Sequence, residues 1–178
     1  MGGSLGTIVN VTVDNCKRHR HNKECVIPAF DPETGALPPG DHLATLAEIE
    51  DRLGFTSRRR WLLQGVRTAV EAFWAAGITE IFIDGSFCTE KPDPGDVDGY
   101  WVEPDEEVYA RIAPYWIDFE PVLVPAPKRR KWKMWVDHGV EFFIHPVMLA
   151  APGLGFPTFF REDREGRPRG LIRIVKDR

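Results

Sequence analysis

Two aspartates, Asp96 and Asp98, stand with one residue between them in the segment IDGSFCTEKPDPGDVDGYW, and nine residues separate Asp96 from a Gly85-Ser86 pair. Like charges held this close repel, so something is expected to compensate them, and the chemistry that fits is a divalent cation. Side chains alternate between the two faces of a strand. Asp96 and Asp98 therefore share a face, Val97 turns to the core, and the carboxylates lie roughly 6.5–7 Å apart along the chain. Both can reach one ion, or one can bridge two ions about 3.5–4 Å apart. Mg²⁺ is a hard cation that takes oxygen ligands and shares them with substrate phosphates. Gly85 and Ser86 suit the other half of such a site, because a small residue lets the backbone approach phosphate oxygens while a hydroxyl and amide groups bind them. Lys91, or a basic residue from 128–133, would offset phosphate charge.

A third carboxylate would complete the set. Glu141 is the best candidate, because it lies in the apolar pattern VEFFIHPV, residues 140–147, with Phe143 and His145 on its face. Asp137 is the second candidate, in the less regular stretch before that pattern.

The elements that must position these residues are legible in outline. TLAEIEDRL, about 45–53, reads as a helix closed by Gly54. A stronger helix follows Ser57, taken as its N-cap. Leu62, Leu63, Val66, Val70, Phe73 and Trp74 recur on one stripe, and Gly77 ends it. TEIFIDG reads as a strand feeding Gly85-Ser86, and DVDGYWV, 96–102, as the strand that carries the aspartates. PDEEVYARIA has the acidic opening of a helix. WIDFEPVLV reads as a third strand whose Pro121 suits an edge or a bulge, and 140–147 as a fourth. A short helical turn, a Gly/Pro turn and a last strand at about 170–175 close the chain. TIVNVTV, 7–13, has strand character, and IPAFDPETGALPPGDH is expected to be irregular and extended. The sum is an α+β fold with a mixed β-sheet and helices mainly on one face. Residues 1–26 read as an N-terminal extension and 27–178 as one domain.

A length of 178 residues suffices for one domain with a proper core. The net charge of −4 gives no general attraction to nucleic acid. A local patch could: Lys128, Arg129, Arg130, Lys131 and Lys133 are interleaved with Trp132 and Trp135, which suits a phosphate backbone and stacked bases, or equally a solvated helix face with its tryptophans in the core. Arg58, Arg59 and Arg60 read as surface residues, one of which could reach a phosphate. Cys16, His19, His21 and Cys25 are zinc-ligand types at a compressed spacing, and a solvated basic arm accounts for them. Cys88 reads as a buried filler. Three cysteines do not make a disulfide scaffold. With no membrane-length apolar run and no signal-peptide pattern, the expected location is the cytoplasm.

GSFCTEKPDPGDVDG resembles the signature of the polymerase-β nucleotidyltransferase superfamily: an apolar strand, Gly then Gly or Ser, a loop, then Asp, an apolar residue, and Asp or Glu. FDPETGALPPGDH with FFREDREGRPRGLIRI is similar to an uncharacterised family of small standalone nucleotidyltransferase-like proteins of bacteria and phages, over about 27–175. The resemblance implies a minimal nucleotidyltransferase fold and a third acid on a later strand. It further implies two Mg²⁺ ions on Asp96, Asp98 and Glu141, with an NTP held by Gly85, Ser86 and Lys91. Transfer of NMP would be to an RNA end or a protein side chain, in a toxin–antitoxin or phage-defence setting with a cognate antitoxin or toxin as partner. The alternative is a protein that keeps the fold without catalysis and binds a partner protein or nucleic acid.

Overall fold

A computed structural model describes residues 26–102, 105–116, 119–122, 129–144 and 158–177. The expected strand at 7–13, the Cys16–Cys25 arm, Lys128 and His145 lie outside the described residues.

Apolar periodicity sets the helical layer. α1 (Leu46–Leu53) opens on a capping box: the Thr45 hydroxyl accepts from the Glu48 amide, and the Glu48 carboxylate accepts from the Thr45 amide. α2 (Ser57–Ala76) buries Leu62, Leu63, Val66, Ala69, Val70 and Phe73 along one stripe and ends at Gly77, whose φ of 98° is left-handed. Its N-cap is Thr56 rather than the expected Ser57, because the Thr56 hydroxyl accepts from the Arg59 amide at 3.2 Å. α3 (Glu106–Trp116) and α4 (Lys133–His138) complete this layer.

The main sheet contains β1 (Gly40–Ala44), β2 (Glu80–Asp84), β3 (Val97–Val102), β6 (Val140–Ile144) and β7 (Gly170–Ile174), in the order β1-β7-β2-β3-β6. β2 runs antiparallel to β3 and β7, while β1–β7 and β3–β6 are parallel. The fold is thus α+β on a mixed five-stranded sheet. β4 (Phe119–Val122) and β5 (Arg129–Trp132) pair apart from it as a two-stranded antiparallel sheet. The basic stretch 129–138 thus holds a strand followed by a short helix. β1 departs from the expectation of an irregular segment at 27–42: the sequence GDHLA takes strand form because β7 supplies its ladder.

Alternation divides the sheet. Ile81 and Ile83 of β2, Val97 and Trp101 of β3, Val140 and Phe142 of β6, and Ile172 and Ile174 of β7 join α1–α4 in the main core. The Phe73 ring lies 5.5 Å from both Trp101 and Phe142, edge-on to the latter. Gly99 stands between Val97 and Trp101 on this face. A Cβ there would overlap the Phe82 carbonyl and the Phe142 ring, so the aromatic occupies the space a side chain would need. The opposite face carries a smaller cluster, Phe82, Tyr100, Leu171 and Phe160, with Phe82 stacked on Tyr100 at 4.6 Å. Phe160 belongs to α5 (Thr158–Arg161), which lies on this second face and leaves one end of it open.

Candidate metal centre

The open end of the second face is a row of acids. Register puts Asp84 of β2 opposite Asp98 of β3, and Asp98 opposite Glu141 of β6. Asp96 sits one residue before β3 begins, not within the strand as expected, and joins the row from the loop. One carboxylate oxygen from each of Asp96, Asp98 and Glu141 lies within 4.8 Å of the other two, and all three residues are half-buried. Three hard oxygen donors at that spacing, open to a cleft on one side, could hold a metal ion. The donor set fits a magnesium-type cation better than a softer metal, since it includes no sulfur or imidazole.

The row is held by its neighbours. The Trp135 indole of α4 donates to Asp96 Oδ2 at 2.8 Å and so fixes the loop-borne carboxylate. Gly85 opens a short 3-10 turn, Gly85–Cys88, at φ 72°. A Cβ at Gly85 would overlap Asp98 Oδ2, so glycine is required twice, for the conformation and for the approach. Ser86 and Lys91 line the same cleft, whose volume is about 960 Å³.

The loop from Phe87 to Gly95 is tied to the start of α2. The Thr56 hydroxyl donates to the Pro92 carbonyl at 2.8 Å, and Arg58 donates to the carbonyls of Pro94 and Gly95, immediately before Asp96. Arg59 is fully buried between the rings of Phe55 and Phe87, with its guanidinium carbon 4.3 and 4.6 Å from their centroids. It donates to the carbonyls of Leu53, Phe87, Thr89 and Lys91. Burial lowers its pKa to about 10, which leaves it charged at neutral pH. The expectation that Arg58–Arg60 are surface residues fails at Arg59. The periodicity of α2, carried back from Leu62, Leu63 and Val66, places position 59 on the apolar stripe, and that signal was present in the sequence. On the other side, residues 35–37 strap the same loop: the Glu90 amide donates to the Gly35 carbonyl at 2.8 Å, and the Leu37 amide to the Cys88 carbonyl at 3.0 Å. Cys88 is buried and its thiol pKa is raised by burial, as suits a packing residue.

Asp84 and Arg169 were not anticipated from the sequence. Asp84 is buried at the edge of the row, and Arg169, just before β7, donates from Nη2 to Asp84 Oδ2 at 2.7 Å. Burial pushes the Asp84 carboxyl up to about 7 against the opposing pull of Arg169. Asp137 lies outside the cluster and pairs with Lys133 at 2.9 Å, one helical turn away, so both are engaged with each other. Of the basic patch, Arg129, Arg130 and Lys131 fall on β5 and Lys133 opens α4. Trp132 packs edge-on to Phe143 at 5.6 Å, and Trp135 is turned to Asp96, so both tryptophans face inward.

Among the described residues, no helix is long and apolar enough to cross a membrane. Nothing among curated proteins and nothing among solved structures matches the chain. A family model does match residues 28–175, which takes in β1 to β7 and every residue of the acidic row, and on that match the chain belongs to DUF6932, a family of unknown function.

Proposed function

We propose that the protein is a magnesium-dependent nucleotidyltransferase that moves NMP from an NTP to an acceptor hydroxyl. The observation that carries the reading is the gathering of Asp96, Asp98 and Glu141 oxygens within 4.8 Å of one another, with Asp96 and Asp98 lining, beside Gly85 and Ser86, a cleft large enough for a nucleotide. The residue pattern GS…DVD, similar to that of the polymerase-β superfamily, supports it.

In this reading the three carboxylates hold up to two Mg²⁺ ions. Bound there, magnesium would lower the pKa of the acceptor hydroxyl and neutralise charge on the phosphates. The Ser86 hydroxyl and the amides of the Gly85 turn bind the outer phosphates, and Lys91 offsets their charge. Trp135 keeps Asp96 aimed into the cleft. The walls align the acceptor oxygen opposite the α–β bridging oxygen. A bond forms from that oxygen to the α-phosphorus, the α–β bridge breaks, pyrophosphate leaves, and the hydroxyl proton passes to solvent. The acceptor in this proposal is an RNA end or a protein side chain, in a toxin–antitoxin or phage-defence setting.

The test is incubation with each labelled NTP, Mg²⁺ and total RNA or lysate. The expected result is one labelled class of macromolecule with pyrophosphate released, and no label from the folded Asp96→Asn/Asp98→Asn variant. Undiminished labelling by that variant would overturn the mechanism. Failure of the native protein to release pyrophosphate from any NTP would instead favour a non-catalytic binding protein.

A further inference from the structure

Among the arginine–aspartate pairs of the described residues, Arg161–Asp41 and Arg169–Asp84 are made differently. Arg161 meets Asp41 in a two-pronged pair, Nη1 to Oδ1 at 2.5 Å and Nη2 to Oδ2 at 3.0 Å, at a partly exposed position. Both Asp41 oxygens and both Arg161 terminal nitrogens are used, the two-pronged geometry of a strong arginine–carboxylate pair. Arg169 meets Asp84 through Nη2 alone, at 2.7 Å. Its Nε donates instead to the Phe160 carbonyl at 3.3 Å. Among the described residues Nη1 has no protein partner, and neither does the buried Asp84 Oδ1.

Burying a carboxylate beside an arginine is costly, and a pair that leaves polar atoms unused recovers less of that cost than a two-pronged one would. Arg169 is accordingly pinned at two points with its remaining edge uncommitted. That guanidinium side chain is about one-fifth exposed. It lines the same cleft as Asp96, Asp98, Ser86 and Lys91. A planar cation immobilised this way is preorganised for a phosphate oxygen, since no side-chain freedom remains to be lost on binding. The acidic row needs such a group. Lys91 is the cation on the loop side of the cleft, and the side formed by residues 162–169 carries as many acids as it does arginines.

We infer that Arg169, held in place by Asp84, is a substrate-binding residue of the cleft whose ligand is the phosphate chain of the nucleotide. This rests on the nucleotidyltransferase reading and deepens it. It assigns Asp84 as a positioning residue, and it sets the phosphates between the Gly85–Lys91 loop and the start of β7, across the acidic row.

The probe is inorganic tripolyphosphate with Mg²⁺, which carries the phosphate chain common to all NTPs and no base. Calorimetry would compare the full chain with Arg169→Gln, Arg169→Lys, Asp84→Asn and the double variant Asp84→Asn/Arg169→Gln. The double variant replaces the buried ion pair with a neutral hydrogen-bonding one and is the version expected to fold. Arg67→Gln, on the helical side, is the control. The expected loss of affinity is about ten- to a hundredfold for the folded double variant, and about tenfold for Asp84→Asn, which keeps the guanidinium but loosens it. Arg169→Lys is expected to recover part of the loss, and the double variant, which removes one charge of each sign, is expected to keep its Mn²⁺ affinity without phosphate. If the double variant binds tripolyphosphate as the native chain does, the assignment of Arg169 is overturned and the nucleotidyltransferase reading stands. If the native chain binds Mn²⁺ but no tripolyphosphate, both fall together.

Discussion

The two faces of the five-stranded sheet are made from alternate residues of the same strands, yet they handle polar groups in opposite ways. Toward the helices, β3 presents Val97, Gly99 and Trp101, and the packing around them is apolar and close enough that a methyl group at position 99 would not fit. Toward the cleft the same strand presents Asp98 and Tyr100, and the row through Asp98 sets carboxylates side by side across three strands. Burial of the first face supplies the free energy that the second face spends on like-charge repulsion and on a buried Asp84. A strand with period-2 alternation can do both because its two sides are independent environments.

That contrast is sharpest in paired substitutions. Phe73→Ala removes the ring that touches Trp101 and Phe142, and should cost about 3–5 kcal/mol of stability, a large part of what a domain this size has. Cation binding should follow only through the folded fraction. Asp98→Asn should do the reverse. It removes one of three charged donors and should lower Mn²⁺ affinity about a hundredfold, while the midpoint of thermal unfolding holds or rises because repulsion in the row is relieved. Denaturant melts and metal titrations on both variants check this. A large loss of stability in Asp98→Asn would mean the acidic row is structural and the division between the faces is wrong.

Arg59 belongs to neither face and bridges both, since it caps carbonyls from α1 and from the loop that leads to Asp96. Arg59→Met keeps the packing between Phe55 and Phe87 but strands four carbonyl groups. A destabilisation of about 3 kcal/mol is expected, with slower-exchanging amides of residues 87–91 becoming exposed in hydrogen exchange. Protection retained there would show that the 35–37 strap alone is sufficient to hold the loop.

How much of this was readable in the sequence follows from the range of each interaction. Asp98 and Glu141 could be found because local alternation reports which face of a strand a residue joins, whereas Asp96 was expected on the strand and reaches the row from the loop before it. The α1 and α2 boundaries were close to their observed places because caps are local chemistry, with Thr56 and Ser57 both competent and only the hydroxyl geometry choosing between them. β1 was missed because nothing in GDHLA favours a strand until β7 lies beside it. The Asp84–Arg169 contact joins residues 85 positions apart, and no periodicity connects them. Arg59 is the intermediate case: its place on the stripe was legible, but three consecutive arginines read as solvated unless the stripe is extended backward through them.

A pH dependence separates the buried acid from the exposed ones. Asp84 has a folded-state pKa raised by burial to about 7, against an unfolded value near 3.9. Between those values the unfolded chain has lost the proton and the folded chain retains it, so unfolding releases a proton and rising pH favours the unfolded state. Asp84 should therefore make stability fall as pH rises from about 4 to about 7, with no further contribution above that. The slope from a single group cannot exceed about 1.4 kcal/mol per pH unit. Denaturant melts across this range on chelator-treated protein, with Asp84→Asn alongside, isolate it: the variant should lack that descending component while sharing the rest of the profile. Superimposable profiles would mean that the carboxyl is ionised in the folded state at neutral pH, with Arg169 outweighing burial, and that the edge of the row is as charged as its centre.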